Sequence, residues 1–179
     1  MGQNSWNGYE HNCLFANVGD GQFVDIARPA GADQVKDSRG VAVADFDGDG
    51  RLDLAINNSN RTPTLYFNEM GGGGNWISLK LVGSRSNRSA IGAQVRLRAG
   101  GKTMTRQVEA GSGYSAQAML PVHFGLGSAS QIDKVEITWP SGHVQRFSRN
   151  QWAEAFGLNR LVRIAENTPL TAALIDGGQ

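Results

Sequence analysis

The chain has 179 residues, 40% of them hydrophobic and 18% charged, which suits a globular core and excludes an intrinsically disordered protein. Cys13 is the single cysteine, so an internal disulfide framework and a cysteine zinc site are both excluded. The net charge of +1 conceals a division: residues 1–70 hold five basic and ten acidic side chains, whereas residues 71–179 hold twelve and six.

The N-terminus, Met1-Gly2-Gln3-Asn4-Ser5, lacks the apolar core of a signal peptide, and motif-rich sequence follows at once, as expected of a fragment cut from something longer. No apolar run approaches the ~20 residues of a membrane-spanning helix. Leu14–Asn17 and Gln22–Ile26 flank Val18-Gly19-Asp20-Gly21, a hairpin signal because Asp-Gly tolerates positive φ. Val41–Ala44 reads as a strand. Leu52, Leu54 and Ile56 then alternate with Asp53, Ala55 and Asn57, the pattern of a strand with one buried face. A short strand, Leu65–Phe67, follows.

Between the strands at 41–44 and 52–57 runs Asp45-Phe46-Asp47-Gly48-Asp49-Gly50-Arg51-Leu52-Asp53. Hard cations such as Ca²⁺ take six to eight oxygens, and a loop supplies them best from alternate positions around a tight turn. Asp45, Asp47, Asp49 and Asp53 occupy positions 1, 3, 5 and 9; Gly50 allows the sharp bend, and Arg51 offers its carbonyl. Position 12 is Ile56 and both flanks are strands, so the loop is not an EF-hand. Four carboxylates within nine residues repel one another without a cation, which favours an ion site over a solvated acidic turn. Calcium ranks ahead of magnesium because carboxylates and a carbonyl converge with few waters.

Gly71–Gly74 marks a joint where both charge and composition change. The expected organisation is a first unit over 1–70, a linker over 71–75, a second unit over 76–166 and a frayed tail over 167–179. In the second unit Ile77, Leu79 and Leu81 alternate with Ser78 and Lys80, and Ala93, Val95 and Leu97 with Gln94, Arg96 and Arg98. Further strands are predicted over Lys102–Ala110, Val122–Leu126, Lys134–Trp139, Val144–Phe147 and Leu161–Ala165, with one short helix over Asn150–Phe156. Seven or so strands at short spacing predict a β-sandwich or barrel. The basic residues of this half alternate with apolar ones, as on a solvated sheet face; a patch for nucleic acid or anionic glycan is the competing reading.

Signals of catalysis are weak. Gly100-Gly101-Lys102-Thr103 lacks the earlier glycine of a phosphate-binding loop, and Gly111-Ser112-Gly113 lacks that of a nucleophile elbow. His11, His123 and His143 are scattered, and Asp133/Glu136 reads as strand-edge charge. Asn60-Arg61-Thr62 and Asn87-Arg88-Ser89 fit the N-glycosylation sequon. The loops Gly83–Gly92 and Gly111–Met119 are rich in polar and aromatic residues, and Ser112, Tyr114, Asn87, Arg88 and Trp76 are the candidate ligand-binding residues.

Gly40–Leu54, with the acidic loop at its centre and the Asn17-Val18-Gly19-Asp20-Gly21-Gln22-Phe23 hairpin before it, resembles the FG-GAP/VCBS repeat of integrin-type propellers. That resemblance implies Asp45, Asp47, Asp49 and Asp53 as calcium ligands, with Arg51 contributing its carbonyl. Asn75-Trp76-Ile77, Ser86–Ala93, Gly111–Tyr114, His123–Gly127 and Trp139–Gly142 resemble the ASPIC/UnbV domain, which follows such repeats in cartilage-acidic-protein-like and bacterial surface proteins. The expected fold is all-β: an ASPIC/UnbV-like β-sandwich preceded by a partial propeller-type FG-GAP calcium hairpin. The resemblance implies an extracellular or cell-surface protein, stabilised by calcium, that catalyses nothing. Its expected partner is an extracellular protein. A glycan read by coplanar aromatics (Tyr114, Trp76, Trp152) is the alternative, and a hydrolase is a more distant one. Neither nucleic acid nor a membrane span is expected, and the N-terminal strands leave edges on which a second copy could pair.

Overall fold

The structure, a computed structural model, describes residues 10–119 and 121–167. The tail expected to fray from Thr168 lies outside the described residues. Among those residues the chain is nearly all β, with four sheets, none closed, and one short helix.

Two compact units form, and they do not follow chain order. One holds the described residues up to Ala44, Asp53–Asn68 and Ser112–Ala118; the other holds Asp45–Leu52, Glu69–Gly111 and the described residues from Met119 onward.

In the first unit β1 (Phe15–Gly19) and β2 (Gln22–Asp25) pair antiparallel around Asp20-Gly21, both at positive φ (48° and 73°), which is the backbone that a tight hairpin turn requires. β3 (Ser38–Ala44), β4 (Asp53–Asn58) and β5 (Thr64–Tyr66) form an antiparallel sheet in that order. Buried Asn58 ties its far end, donating through Nδ2 to the Thr62 carbonyl at 3.0 Å and accepting from Ser38 Oγ at 3.0 Å. The Ser112–Ala118 turn lies against β3, and a β-carbon on Gly40 would come within 3.0 Å of the Tyr114 carbonyl oxygen.

The second unit is a sandwich. One sheet runs β12 (Leu161–Ala165), β6 (Asn75–Val82), β9 (Val122–Gly127). The other runs β11 (Val144–Ser148), β10 (Ile132–Thr138), β7 (Gln94–Ala99), β8 (Lys102–Gln107). β7 alternates exposed and buried residues without a break, as its sequence predicts. β6 departs from strict alternation: Ser78 is buried along with Ile77 and Leu79, a small side chain set between His123 on β9 and Leu161 on β12. The strand expected over Lys102–Ala110 ends at Gln107, where the Val108 N–H leaves the ladder for the Ala93 carbonyl at 2.9 Å.

Both sheets feed one apolar cluster that includes Leu79, Phe124 and Val162 from one side and Leu97, Val135 and Phe147 from the other. Each such side chain stabilises the fold by about 1.5–3 kcal/mol on burial. α1 (Arg149–Ala155) starts where Ser148 donates its backbone N–H to Gln151 Oε1 at 2.9 Å, half of a capping box. The helix inserts Trp152 into the cluster, 6.0 Å from Phe147 and 4.8 Å from Phe156 between ring centroids. β12 then pairs parallel with β6 and delivers buried Glu166 to the Ser84–Ser86 loop. The backbone N–H groups of Ser84, Arg85 and Ser86 donate to Glu166 Oε2 at 2.8, 2.7 and 2.8 Å; the hydroxyls of Ser86 and Ser141 donate to Oε1.

Candidate metal centre

The acidic loop folds on its own carboxylates. Asp45 Oδ1 accepts the Gly48 N–H at 2.8 Å, and Asp45 Oδ2 the Gly50 N–H at 2.9 Å. Asp47 Oδ1 accepts from the Asp49 N–H at 3.2 Å, and Asp49 Oδ1 from the Arg51 N–H at 2.7 Å. These short-range bonds are what Asp offers in turns, and they require a backbone that curls back on itself. Gly48 (φ +79°) and Gly50 (φ +88°) supply the curl at positions where a β-carbon would be strained.

The result is convergence. Asp45, Asp47 and Asp49 each present a carboxylate oxygen, and these three oxygens lie within 4.8 Å of one another. An oxygen-only, triply anionic donor set fits a hard divalent cation and offers nothing to a soft one. Arg51 folds its guanidinium back onto Asp49 Oδ2, placing one positive charge beside the three negative ones. Asp53 is the first residue of β4; its side chain is buried and Oδ1 accepts the Asn68 N–H at 2.8 Å.

One wall of the loop is aromatic. A β-carbon on Gly50 would come within 1.9 Å of Trp76 Nε1, so the indole lies directly on the loop backbone. On β9, His123 stacks with Trp76, ring centroids 5.5 Å apart and planes 24° apart. Burial pushes the His123 imidazole below its ordinary pKa; the Asp45 carboxylate opposes that shift and the Arg106 guanidinium reinforces it. A largely neutral ring beside an acidic loop follows.

The other candidate residues are not brought together. Trp152 is 1% exposed, so it cannot serve as one of three coplanar surface aromatics; the C-terminal half of the sandwich needs its bulk as core. Trp76 is half-buried between loop and histidine rather than offered as a platform. Tyr114 alone is well displayed, at 73% exposure, on a turn closed by the Ser112 N–H to the Ala116 carbonyl (3.2 Å) and by the Ala118 N–H to Ser112 Oγ (3.2 Å). Asn87 closes its own loop, exchanging two 2.9 Å hydrogen bonds with the backbone of Ile91, while Arg88 is exposed beside it. Ser112 and Tyr114 belong to one unit, Asn87, Arg88 and Trp76 to the other.

Asp133 and Glu136, the carboxylate pair weighed as a glycosidase dyad, are both held in ion pairs. Asp133 pairs with Arg149 at 2.5 Å, and Glu136 accepts from Arg146 at 2.8 Å and Lys134 at 3.2 Å. Side-chain hydrogen bonds from Arg146 and Lys134 hold the Glu136 carboxyl below the usual range, the wrong direction for a general acid. The Glu166 cradle escaped sequence reasoning altogether, because residues 84–86 and 166 carry no local pattern that joins them.

Comparison with known families places this geometry. The ASPIC and UnbV family matches residues 83–167, an FG-GAP-like repeat matches residues 5–56, and the FG-GAP repeat matches residues 39–75. Cartilage acidic protein 1 of Xenopus tropicalis is 32% identical over 129 residues, covering 68% of this chain and 19% of that protein. The Homo sapiens protein of the same name is 34% identical over 116 residues, covering 62% of this chain and 17% of its own length. The chain thus spans less than a fifth of the length of the relatives it matches. It carries FG-GAP repeat sequence followed by an ASPIC/UnbV domain and is homologous to cartilage acidic protein 1.

Proposed function

We propose that this chain, an FG-GAP repeat segment followed by an ASPIC/UnbV domain, is a calcium-binding, non-catalytic recognition module that works outside the cell on a protein partner. The convergence of Asp45, Asp47 and Asp49 within 4.8 Å carries the reading. Asp53 and the Arg51 carbonyl complete the donor set in this proposal. The ion's contribution is structural: it cancels the repulsion among the carboxylates and holds the loop against Trp76.

A protein partner suits the apolar residues left at the surface of the first unit. Phe15 (61% exposed), Phe23 (60%) and Phe67 (51%) are side chains that interface cores bury. A second copy of the chain is one such partner. Tyr114 supports the second reading, a glycan that stacks on one exposed ring. Among the described residues no helix is long and apolar enough to cross a membrane.

Titration calorimetry tests the ion. Calcium should bind with one saturable site and magnesium much more weakly, and Asp47→Asn should abolish the heat. Equal heats in wild type and variant would remove the loop from the account.

A further inference from the structure

We infer that the outer face of the β11-β10-β7-β8 sheet is a docking surface for an anionic, sulfated polysaccharide. The inference goes beyond the calcium reading, since the sheet holds none of the loop carboxylates. It rests on which side chains the ladder brings side by side.

Antiparallel register sets Arg96 opposite Thr105 on β8 and Glu136 on β10, and Arg98 opposite Thr103 and Lys134. Glu136 in turn faces Arg146 on β11. Four cations and one carboxylate therefore share one face, and that carboxylate is already engaged by Lys134 and Arg146. Among the described residues nothing forms a hydrogen bond or ion pair with the guanidinium of Arg96 or Arg98. These two exposed side chains stand about 6.6 Å apart along a central strand, with neighbouring strands about 4.8 Å to either side.

What the face lacks selects the occupant. Arg96, Arg98, Thr103, Thr105 and Lys134 are all exposed and none is apolar, whereas a protein interface needs an apolar centre. No aromatic side chain projects from these rows, so bases of single-stranded nucleic acid have nothing to stack on. Insertion into a lipid surface would likewise call for apolar or aromatic side chains. A sulfated polysaccharide needs only what is present: unpaired guanidinium groups for sulfate or carboxylate oxygens, and threonine hydroxyls for sugar hydroxyls.

The test uses the full chain in chelator, which separates this surface from the calcium loop, with heparin as the probe and biolayer interferometry as readout. Arg96→Thr/Arg98→Thr keeps strand propensity at exposed positions, and Arg28→Thr/Arg61→Thr matches its charge change elsewhere. Expected are heparin binding that weakens steeply with salt, at least a tenfold loss in the sheet variant, and a loss of less than twofold in the control. Absence of binding, equal losses in the two variants, or binding that appears only with calcium would overturn the assignment. So would tighter binding of single-stranded DNA, or of vesicles with 30% phosphatidylserine, than of heparin. Circular dichroism and the melting curve of the sheet variant confirm that any loss is not unfolding.

Discussion

The indole of Trp76 occupies the space in which residue 50 would carry a β-carbon, 1.9 Å from its Nε1. The acidic loop and β6 are thereby fitted to each other through a glycine. Gly50→Ala should cost stability twice, through its φ of +88° and through displacement of the ring. About 2–5 kcal/mol in urea unfolding is expected, from ~1–2 for left-handed strain and ~1–3 for overpacking. In a Trp76→Ala background only the strain should remain. An unchanged cost in that background would show that the contact is not the cause.

Calcium should raise the melting temperature. A ligand bound only by the native state adds RT ln(1 + [L]/Kd), about 2.7 kcal/mol at a hundredfold excess over Kd. Asp47→Ala should remove most of the shift, because Asp47 holds both a converging oxygen and the Asp49 N–H. Coincident melts in calcium and chelator would sink the ion's structural role.

Glu166 should make the sandwich acid-sensitive. Burial alone would raise its pKa, but the hydrogen bonds from Ser141, Ser86, Ser84 and Arg85 outweigh it and hold the carboxyl at about 2, below its ordinary 4.5. A depressed native pKa means stability that is complete above about 4.5 and is lost as pH falls towards 2. Glu166→Gln should flatten that slope and, by leaving N–H groups facing an amide, cost about 1–3 kcal/mol at neutral pH. Urea midpoints measured at several pH values for both proteins decide the point.

Residues 75–166 should fold alone, since every member of the sandwich's apolar cluster lies between Ile77 and Ile164. The expected result is a cooperative thermal transition for that segment. A gradual melt with dye binding at room temperature would mean that the acidic segment is needed to complete the sandwich.

The strands were legible because a strand writes its burial into its own neighbours. β7 reads Gln-Val-Arg-Leu-Arg-Ala, and the same alternation is its exposure pattern. The Asp20-Gly21 turn and the converging carboxylates were equally local, each set by residues a few positions apart. Ser78 was misread for the complementary reason: which side chains flank a residue across the sheet, here His123 and Leu161, is not a property of a strand's own sequence.

By itself, the sequence determined the β class of the protein, its acidic loop and its kinship with FG-GAP and ASPIC/UnbV domains, all carried by periodicities and motifs of fewer than about ten residues. Only the tertiary structure decided what Trp152 and Trp76 do, the first in the core and the second on the loop. It alone joined Glu166 to Ser84–Ser86, and set Arg98 opposite Lys134 and Arg96 opposite Glu136, a carboxylate already engaged by Lys134 and Arg146. The reason is physical: these relationships link positions some 26 to 82 residues apart, and sheet register and parallel pairing create them without leaving any trace in local spacing.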